Sequence, residues 1–452
     1  MFEIANLRLV RRAFLALPLA VLLGACAHTS TPDSARPKSW VVENVAGKTT
    51  QELYADWIAP AVYERSGSKV IGDYTVESGN LIMPDKSIGS LITVRSKDGS
   101  LTAVVEQKGK SGLLVINNKG QGNFTPYLSE DFARPDTVSV EEVKESANSK
   151  LATEEPFVVD IFMGYSRSAV EASGGDVVAN ALAKVESVNL ALRNSLVTCV
   201  SLRLVGVRVV EQSYPVSGET LSNLPTIFKD GIQRSQPDLI HGMFTSHPDD
   251  TAGGWGEYRG RKAISHVIGE AFRHEVGHNA GGVHCYSDGG AISTYAYGYN
   301  NGKTHTIQCG NGNPYYSNPL VKDGDGLPIG HVLTANMARV WRNNEKRLSS
   351  YAPPTELSAP GNFGVVWTSH DSIKFEWDKS PRAVKYEVWG RDNILLPPKK
   401  FAESTTLDAV VTGLPSGLRP YHVVAVYFDG SKSSPSNIVS AKPYGTSARN
   451  IQ

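Results

Sequence analysis

Residues 272–284 read FRHEVGHNAGGVH, and the fold and chemistry of the chain turn on this stretch. His274 and His278 stand at i and i+4, so a helix sends both imidazoles out from one face. Two ring nitrogens on one face can reach a single Zn2+ at about 2.0–2.1 Å. Glu275, beside the first histidine, is the residue type that takes a proton from water at such a metal. Gly281 follows three residues after His278, at a helix end where glycine tolerates a positive φ. A helix that stops there lets the chain turn back and offer His284 as a third ligand. Three histidines leave one coordination position open, which marks a catalytic site and not a closed structural one. The expected set is therefore His274, His278 and His284 on one Zn2+, with Glu275 as general base.

The sequence around this stretch alternates strand and helix. Phe157–Met163 (FVVDIFM) reads as a buried strand, and Leu202–Val210 (LRLVGVRVV) and Asp238–Phe244 (DLIHGMF) as further strands. Between the first two, Val178, Ala181, Leu182, Val185, Val188 and Leu192 form an apolar stripe at helical spacing over 176–194. Lys262–Ile268 precedes a helix starting near Glu270. Residues 156–352 are thus expected to form an α/β domain. Upstream, 41–135 is expected to be a small β-rich module, with strands at Ser90–Arg95, Leu101–Gln107 and Gly112–Asn117 separated by glycine turns. Residues 136–155 are polar and acidic and read as a linker. Downstream of PPTEL (353–357), alternating segments such as Ser372–Trp377, Lys385–Gly390 and His422–Phe428 make 355–445 all-β.

The pattern HExxHxxGxxH at 274–284 resembles the metzincin zinc peptidases, zincins with an extended ligand set. Among them the chain looks most like the reprolysin-like bacterial metalloendopeptidases. Asp160–Tyr165 resembles their first strand. Gly253-Gly254-Trp255-Gly256 resembles their glycine-rich edge, where substrate would pair as an added strand. Tyr295-Ala296-Tyr297-Gly298-Tyr299 and Pro314–Pro319 also look like that group. The resemblance implies a zincin fold, hydrolysis of peptide bonds, and protein or peptide substrates. Trp377, Leu414 and Tyr421 resemble the core tryptophan and tyrosine corner of a fibronectin type III sandwich.

The sequence departs from the metzincin pattern in two places. Gln308, in Thr306-Ile307-Gln308-Cys309, stands where a methionine turn is expected. Met337 lies in a helical stretch, Leu333–Arg347, where it reads as core. Cys285 replaces the usual aspartate after the third histidine. It can pair with Cys309, leaving Cys199 as a buried strand cysteine; the alternative places Cys285 on the metal, where three histidines already fill the protein positions. Spacing does not show whether the Cα atoms come close enough for a bond. His241, His266 and His305 read as structural or surface residues. One of Tyr295, Tyr297 and Tyr299 could reach an oxyanion, although packing around a loop is the plainer reading.

The N-terminus bears on the compartment. Arg8, Arg11 and Arg12 precede an apolar run, Ala13–Ala25, that is shorter than the roughly 20 residues of a membrane span and suits a signal peptide. It ends in Leu23-Gly24-Ala25-Cys26, which resembles a bacterial lipobox. The expectation is a signal peptide at 1–25, acylation of Cys26, a Ser/Thr/Pro-rich tether at 26–40, and anchoring by lipid in the cell envelope, on the outer membrane. Lys plus Arg and Asp plus Glu number 45 each, so the net charge of zero argues against nucleic acid as a partner. The module at 41–135 reads as either a propeptide-like inhibitor or a binding module; it holds no cysteine, so a cysteine cannot block the metal from it, although another group could. Three functions remain. The first is a zinc metalloendopeptidase. The second is a catalytically weak or inactive metzincin scaffold serving as a surface adhesin. The third is a metal-dependent hydrolase of a non-peptide polymer.

Overall fold

The computed structural model describes residues 38–53, 61–128, 136–139, 156–393 and 395–444. The expected signal peptide, Cys26, most of the tether and residues 140–155 of the expected linker lie outside them. All described residues belong to one compact unit, Arg36–Gln452. The chain is multidomain and mostly β-sheet.

The N-terminal module is a seven-stranded antiparallel sheet. Its strands are β1 (Lys38–Val41), β2 (Val62–Ile71), β3 (Tyr74–Ile82), β4 (Ile88–Ser96), β5 (Leu101–Glu106), β6 (Gly112–Ile116) and β7 (Gln121–Pro126), in the order β1-β7-β6-β5-β4-β3-β2. Side chains alternate across a strand, and here both faces are covered. Leu91, Leu101, Ala103, Val105 and Leu114 pack with Val45 and Leu53 on one face. On the other, Val76, Ile92, Val94, Val104 and Leu113 join the largest core of the protein.

That core is shared with a six-stranded mixed sheet, order β10-β9-β11-β13-β12-β8. Its strands are β8 (Thr137–Ser139), β9 (Phe157–Ser166), β10 (Val200–Val210), β11 (Leu239–Phe244), β12 (Gly254–Tyr258) and β13 (Lys262–His266). β9, β10, β11 and β13 run parallel, β12 is antiparallel to β13, and β8 is parallel to β12. Parallel neighbours need a crossover. The helix Val177–Asn194 supplies it between β9 and β10, capped by the Asp176 carboxylate, which accepts from Ala179 N at 2.9 Å.

This helix corrects the sequence reading in one respect. Ala179–Leu192 is buried all round, not on one stripe. The face that reads as polar meets the N-terminal sheet, and its polar groups are paired there. Glu186 accepts from Ser78 Oγ at 2.7 Å and pairs with Lys69 at 2.8 Å. Asp176 accepts from Tyr74 and Ser96. The module and the α/β region are therefore joined through a common interior. A second correction concerns the linker: Asp136–Ser139 is part of the fold, and β8 lies along the edge of β12. The acidic composition of the flanking residues hid a short Thr-Val-Ser strand.

The C-terminal region is a two-sheet sandwich, the arrangement expected of a fibronectin type III-like domain. Gly364–Thr368, Ile373–Glu376 and Asp408–Val411 form one sheet. Lys399–Ser404, Lys385–Gly390, Arg419–Val426 and Val439–Ala441 form the other. Trp377, Phe375, Tyr386, Leu414 and Tyr421 fill its core. Tyr421 packs between Phe375 and Phe401, and its hydroxyl makes no backbone hydrogen bond, so the bond of a tyrosine corner is not formed. Asp160 of β9 ties this domain on, accepting from Thr355 Oγ1 at 2.6 Å and pairing with Arg382 at 3.0 Å.

Candidate metal centre

The helix Ala271–Ala280 carries the first part of the site. It ends where the sequence places the end: Gly281 has φ +112° and its N–H reaches the carbonyls of Gly277 and His278. A side chain would be strained in that conformation. Arg347 further satisfies the last carbonyls, donating to Asn279 O and Ala280 O at 2.9 and 3.1 Å. The chain then reverses into Val283–Cys285 and carries His284 toward the helix.

His274, His278 and His284 converge, with ring centroids 4.7–5.0 Å apart. His274 Nδ1 lies 2.8 Å from Ile307 O, and His278 Nδ1 lies 2.8 Å from Gly282 O. A carbonyl only accepts, so each Nδ1 carries a proton and each Nε2 points inward; in a neutral ring that Nε2 holds the lone pair. Burial pushes the pKa of His274 down to about 4, which keeps that ring neutral at pH 7.

A fourth residue, assigned by the sequence to the linker, completes the group. Asp136 is 4% exposed, and its carboxylate lies 3.4, 3.4 and 2.9 Å from Nε2 of His274, His278 and His284. All four ligand atoms fall within 4.8 Å of one another. Burial opposes ionisation of Asp136, but the histidines outweigh it and hold the carboxyl well below its usual range. At His284, burial works against protonation and the Asp136 carboxylate overcomes it, giving a net upward shift. The donor set fits a divalent metal. Ligands at about 2.0–2.1 Å from a tetrahedral centre stand about 3.3 Å apart, close to the observed spacings. At His274, whose ring is kept neutral with its proton on Nδ1, an unprotonated Nε2 faces the Asp136 carboxylate, a pairing that a cation between them would satisfy.

Glu275 lies on the same helix and is fully buried against β12. The approach requires glycine: a Cβ on Gly254 would fall 2.3 Å from Glu275 Oε1. The floor beneath the helix holds both residues singled out for the turn. Gln308 packs against Gly277 with its amide nitrogen 3.5 Å from His278 Nδ1, too long for a good hydrogen bond. Met337 is fully buried at the head of the helix Met337–Leu348, where a Cβ on Gly282 would meet its Cε at 2.3 Å. That helix starts later than the sequence suggests, because Asn336 caps it, and Leu333 is left exposed outside.

Cys285 and Cys309 are joined by a disulfide, with Cα atoms 4.8 Å apart, next to His284 and the floor. Cys199 corrects its expectation: it is partly exposed and precedes β10 by one residue, because the strand begins at Val200. The other histidines stay out of the cluster. His241 Nε2 is 2.9 Å from Ser265 Oγ, and His266 Nε2 is 2.8 Å from Asp250. His305 packs beneath Gly310. The tyrosine hydroxyls serve packing: Tyr295 accepts from Asn343, and Tyr297 from Ala291 N. Tyr299 is held through its backbone, its N–H donating to Thr306 Oγ1 at 2.7 Å.

No protein-family model matches the chain, and no curated protein matches it significantly. Among solved structures, a chaperone–substrate complex is similar over 58% of this chain at 19% identity and a TM-score of 0.40, and the match spans 42% of that structure's own chain. A fibronectin type III domain of human fibronectin type III domain containing protein 3 is similar over 22% of this chain and 98% of its own, at 17% identity and a TM-score of 0.19. A fibronectin type III-like protein from Clostridium thermocellum covers 19% of this chain and 93% of its own, at 22% identity and a TM-score of 0.18. At these TM-scores the likenesses carry no argument about activity, which rests on the residues of the site.

Proposed function

We propose that the chain is a zinc-dependent metalloendopeptidase with a metzincin-like catalytic domain, anchored in the bacterial envelope through lipid on Cys26. The observation that supports it best is the convergence of three imidazoles, two buried on a helix and a partly buried one on its return strand, with Glu275 on the same helix. His274, His278 and His284 would hold the ion. A zinc ion bound there supplies Lewis acidity toward a peptide carbonyl and acidifies water. The Ile307 and Gly282 carbonyls orient His274 and His278 by fixing the proton on Nδ1. Glu275, held against the backbone of β12, accepts at its carboxylate the proton of the attacking water and returns it to the leaving nitrogen. Burial of His274, Glu275 and His278 limits solvent at the helix side of the site.

The test uses the mature chain with Cys26→Ser, in an Asp136→Ala background because Asp136 covers the centre. About one zinc per chain and chelator-sensitive cleavage of an unfolded protein substrate are expected. Adding Glu275→Ala should lower the rate about 100-fold or more while zinc content is kept. Equal rates with and without Glu275 would remove it as the base.

A further inference from the structure

We propose that the far end of the C-terminal sandwich is a membrane-contacting tip, which lays an apolar loop into a bilayer surface bearing anionic headgroups. The sandwich is fixed to the α/β region at the end where Arg382 pairs with Asp160 at 3.0 Å. The strand Lys385–Gly390 starts beside that contact and carries the chain roughly 17 Å away from it. At its far end Gly390 pairs with Lys399 and with Tyr421, and Arg419 pairs with Ala441. The loops that join these strands there, 391–398 and 412–418, therefore share one pole of the sandwich, opposite the attachment.

That pole holds apolar side chains out in water. Leu395 is 87% exposed and Leu396 50%, and Pro397 and Pro398 follow them, both exposed. Leu418 on the second loop is exposed as well. Grouped exposed apolar residues mark a contact surface, and the backbone of this one favours lipid. Inside an apolar layer every backbone polar group needs an internal partner. Leu395 N donates to Asn393 Oδ1 at 3.1 Å, and Leu396 N to Asn393 O at 3.0 Å. Leu396 O accepts from Arg391 Nη1 at 2.8 Å. The two prolines have no N–H to satisfy. A protein partner takes about one hydrogen bond per 100–200 Å2 of contact, and a tip so closed on itself offers few.

The charges around the tip suit anionic headgroups. Among the described residues of this pole, Arg391, Lys399, Arg419 and Lys442 outnumber Asp371 and Asp392. Asp392 is taken up by Lys399, 2.5 Å away, and Arg419 lies inward on the carbonyls of Pro415 and Gly417. Arg391 at the base of the loop and Lys442 beside it, the latter exposed, carry the surplus. Long cationic side chains at such a base keep their heads at the polar layer while the apolar tip goes deeper. Each cation near an anionic surface adds to the attraction, which fades within a Debye length.

This contact is additional to the proposed lipid on Cys26, so the test removes that lipid. The mature chain with Cys26→Ser is sedimented with vesicles of phosphatidylglycerol and phosphatidylethanolamine, and in parallel with vesicles of phosphatidylcholine alone. It should bind the anionic vesicles about tenfold more tightly than the neutral ones, and more weakly as salt is raised. Adding Leu395→Ser and Leu396→Ser should weaken binding about tenfold or more and leave the unfolding midpoint unchanged, since neither side chain is in the core. Lys442→Glu should weaken binding to the anionic vesicles alone. Equal sedimentation with and without the two serines overturns the proposal, as does a protein that stays in the supernatant with both vesicle types. So does a dimer, formed without vesicles, that the two serines abolish, because the pole is then an interface between copies. Neither peptide cleavage nor zinc enters the readout, so failure here is distinct from failure of the peptidase reading.

Discussion

Glu106→Ala tests whether the N-terminal sheet is an integral part of the α/β region. Glu106 is 8% exposed and Arg273 2% exposed, and they form an ion pair joining β5 to the helix that carries His274 and His278. Removing one partner of a buried pair costs about 3–5 kcal/mol, because the other charge stays in the interior unpaired. Arg273 would keep two bonds to Asn311, from Nε to Oδ1 at 2.8 Å and from Nη2 to the carbonyl at 3.1 Å. The lower end, about 3 kcal/mol, is therefore expected. With an unfolding entropy of about 2.1 cal/mol/K per residue, the unit Arg36–Gln452 shifts by about 1 °C per kcal/mol, so Tm should fall by about 3–4 °C. The assay is thermal unfolding of the metal-loaded chain at fixed protein and zinc concentration, for wild type, Glu106→Ala, Arg273→Leu and the double variant. Arg273→Leu removes the ion-pair partner of Glu106 and leaves it accepting from the Ser90 hydroxyl, 2.7 Å away. The double variant strands no charge, so its loss should be smaller than the sum of the single losses by about 2 kcal/mol or more. A Glu106→Ala protein within 2 °C of wild type, or strictly additive losses, would refute the reasoning and return residues 41–135 to the status of a detachable module.

Two further outcomes can be measured on the same protein. Cys285–Cys309 closes a loop of sequence separation 24, so replacing both cysteines by serine should cost about 3 kcal/mol of stability. Zinc affinity should fall with it, since His284 adjoins the bridge; unchanged unfolding midpoints would contradict this. Burial raises the Asp238 carboxyl, which accepts from the backbone N–H groups of Asp160 and Ala352, to about 6. Its unfolded value is about 3.9, so the folded state holds this proton more tightly. The stabilisation is full below pH 4 and is lost as pH rises through 6, a change of about 3 kcal/mol. Relative to Asp238→Asn, wild type should therefore lose ground between pH 4 and pH 7 in urea unfolding, and a constant difference would disprove the assignment.

Much of the site could be read from local spacing. His274 and His278 share a helix face, Gly281 takes the positive φ that ends the helix, and His284 follows from the reversal. Each depends on residues within a turn or two, where backbone geometry is the same in any fold. The strands of the α/β region and of the C-terminal sandwich were similarly visible as alternating or β-branched runs, within a few residues of their ends. Periodicity shows which face of the 177–194 helix is apolar, and it does not show that another sheet covers the other face.

Asp136 shows the limit most clearly. Nothing near it in sequence marks an aspartate as a metal neighbour, and its acidic surroundings read as a linker. Its place opposite three histidines arises from β8 adding to the edge of β12, a contact between segments far apart along the chain. Local sequence therefore determined the placing of the three histidines and Glu275, because a helix and its cap set their geometry. Only the tertiary structure decided that the centre is covered, because a carboxylate acquires that role from what the fold brings within hydrogen-bonding distance of it.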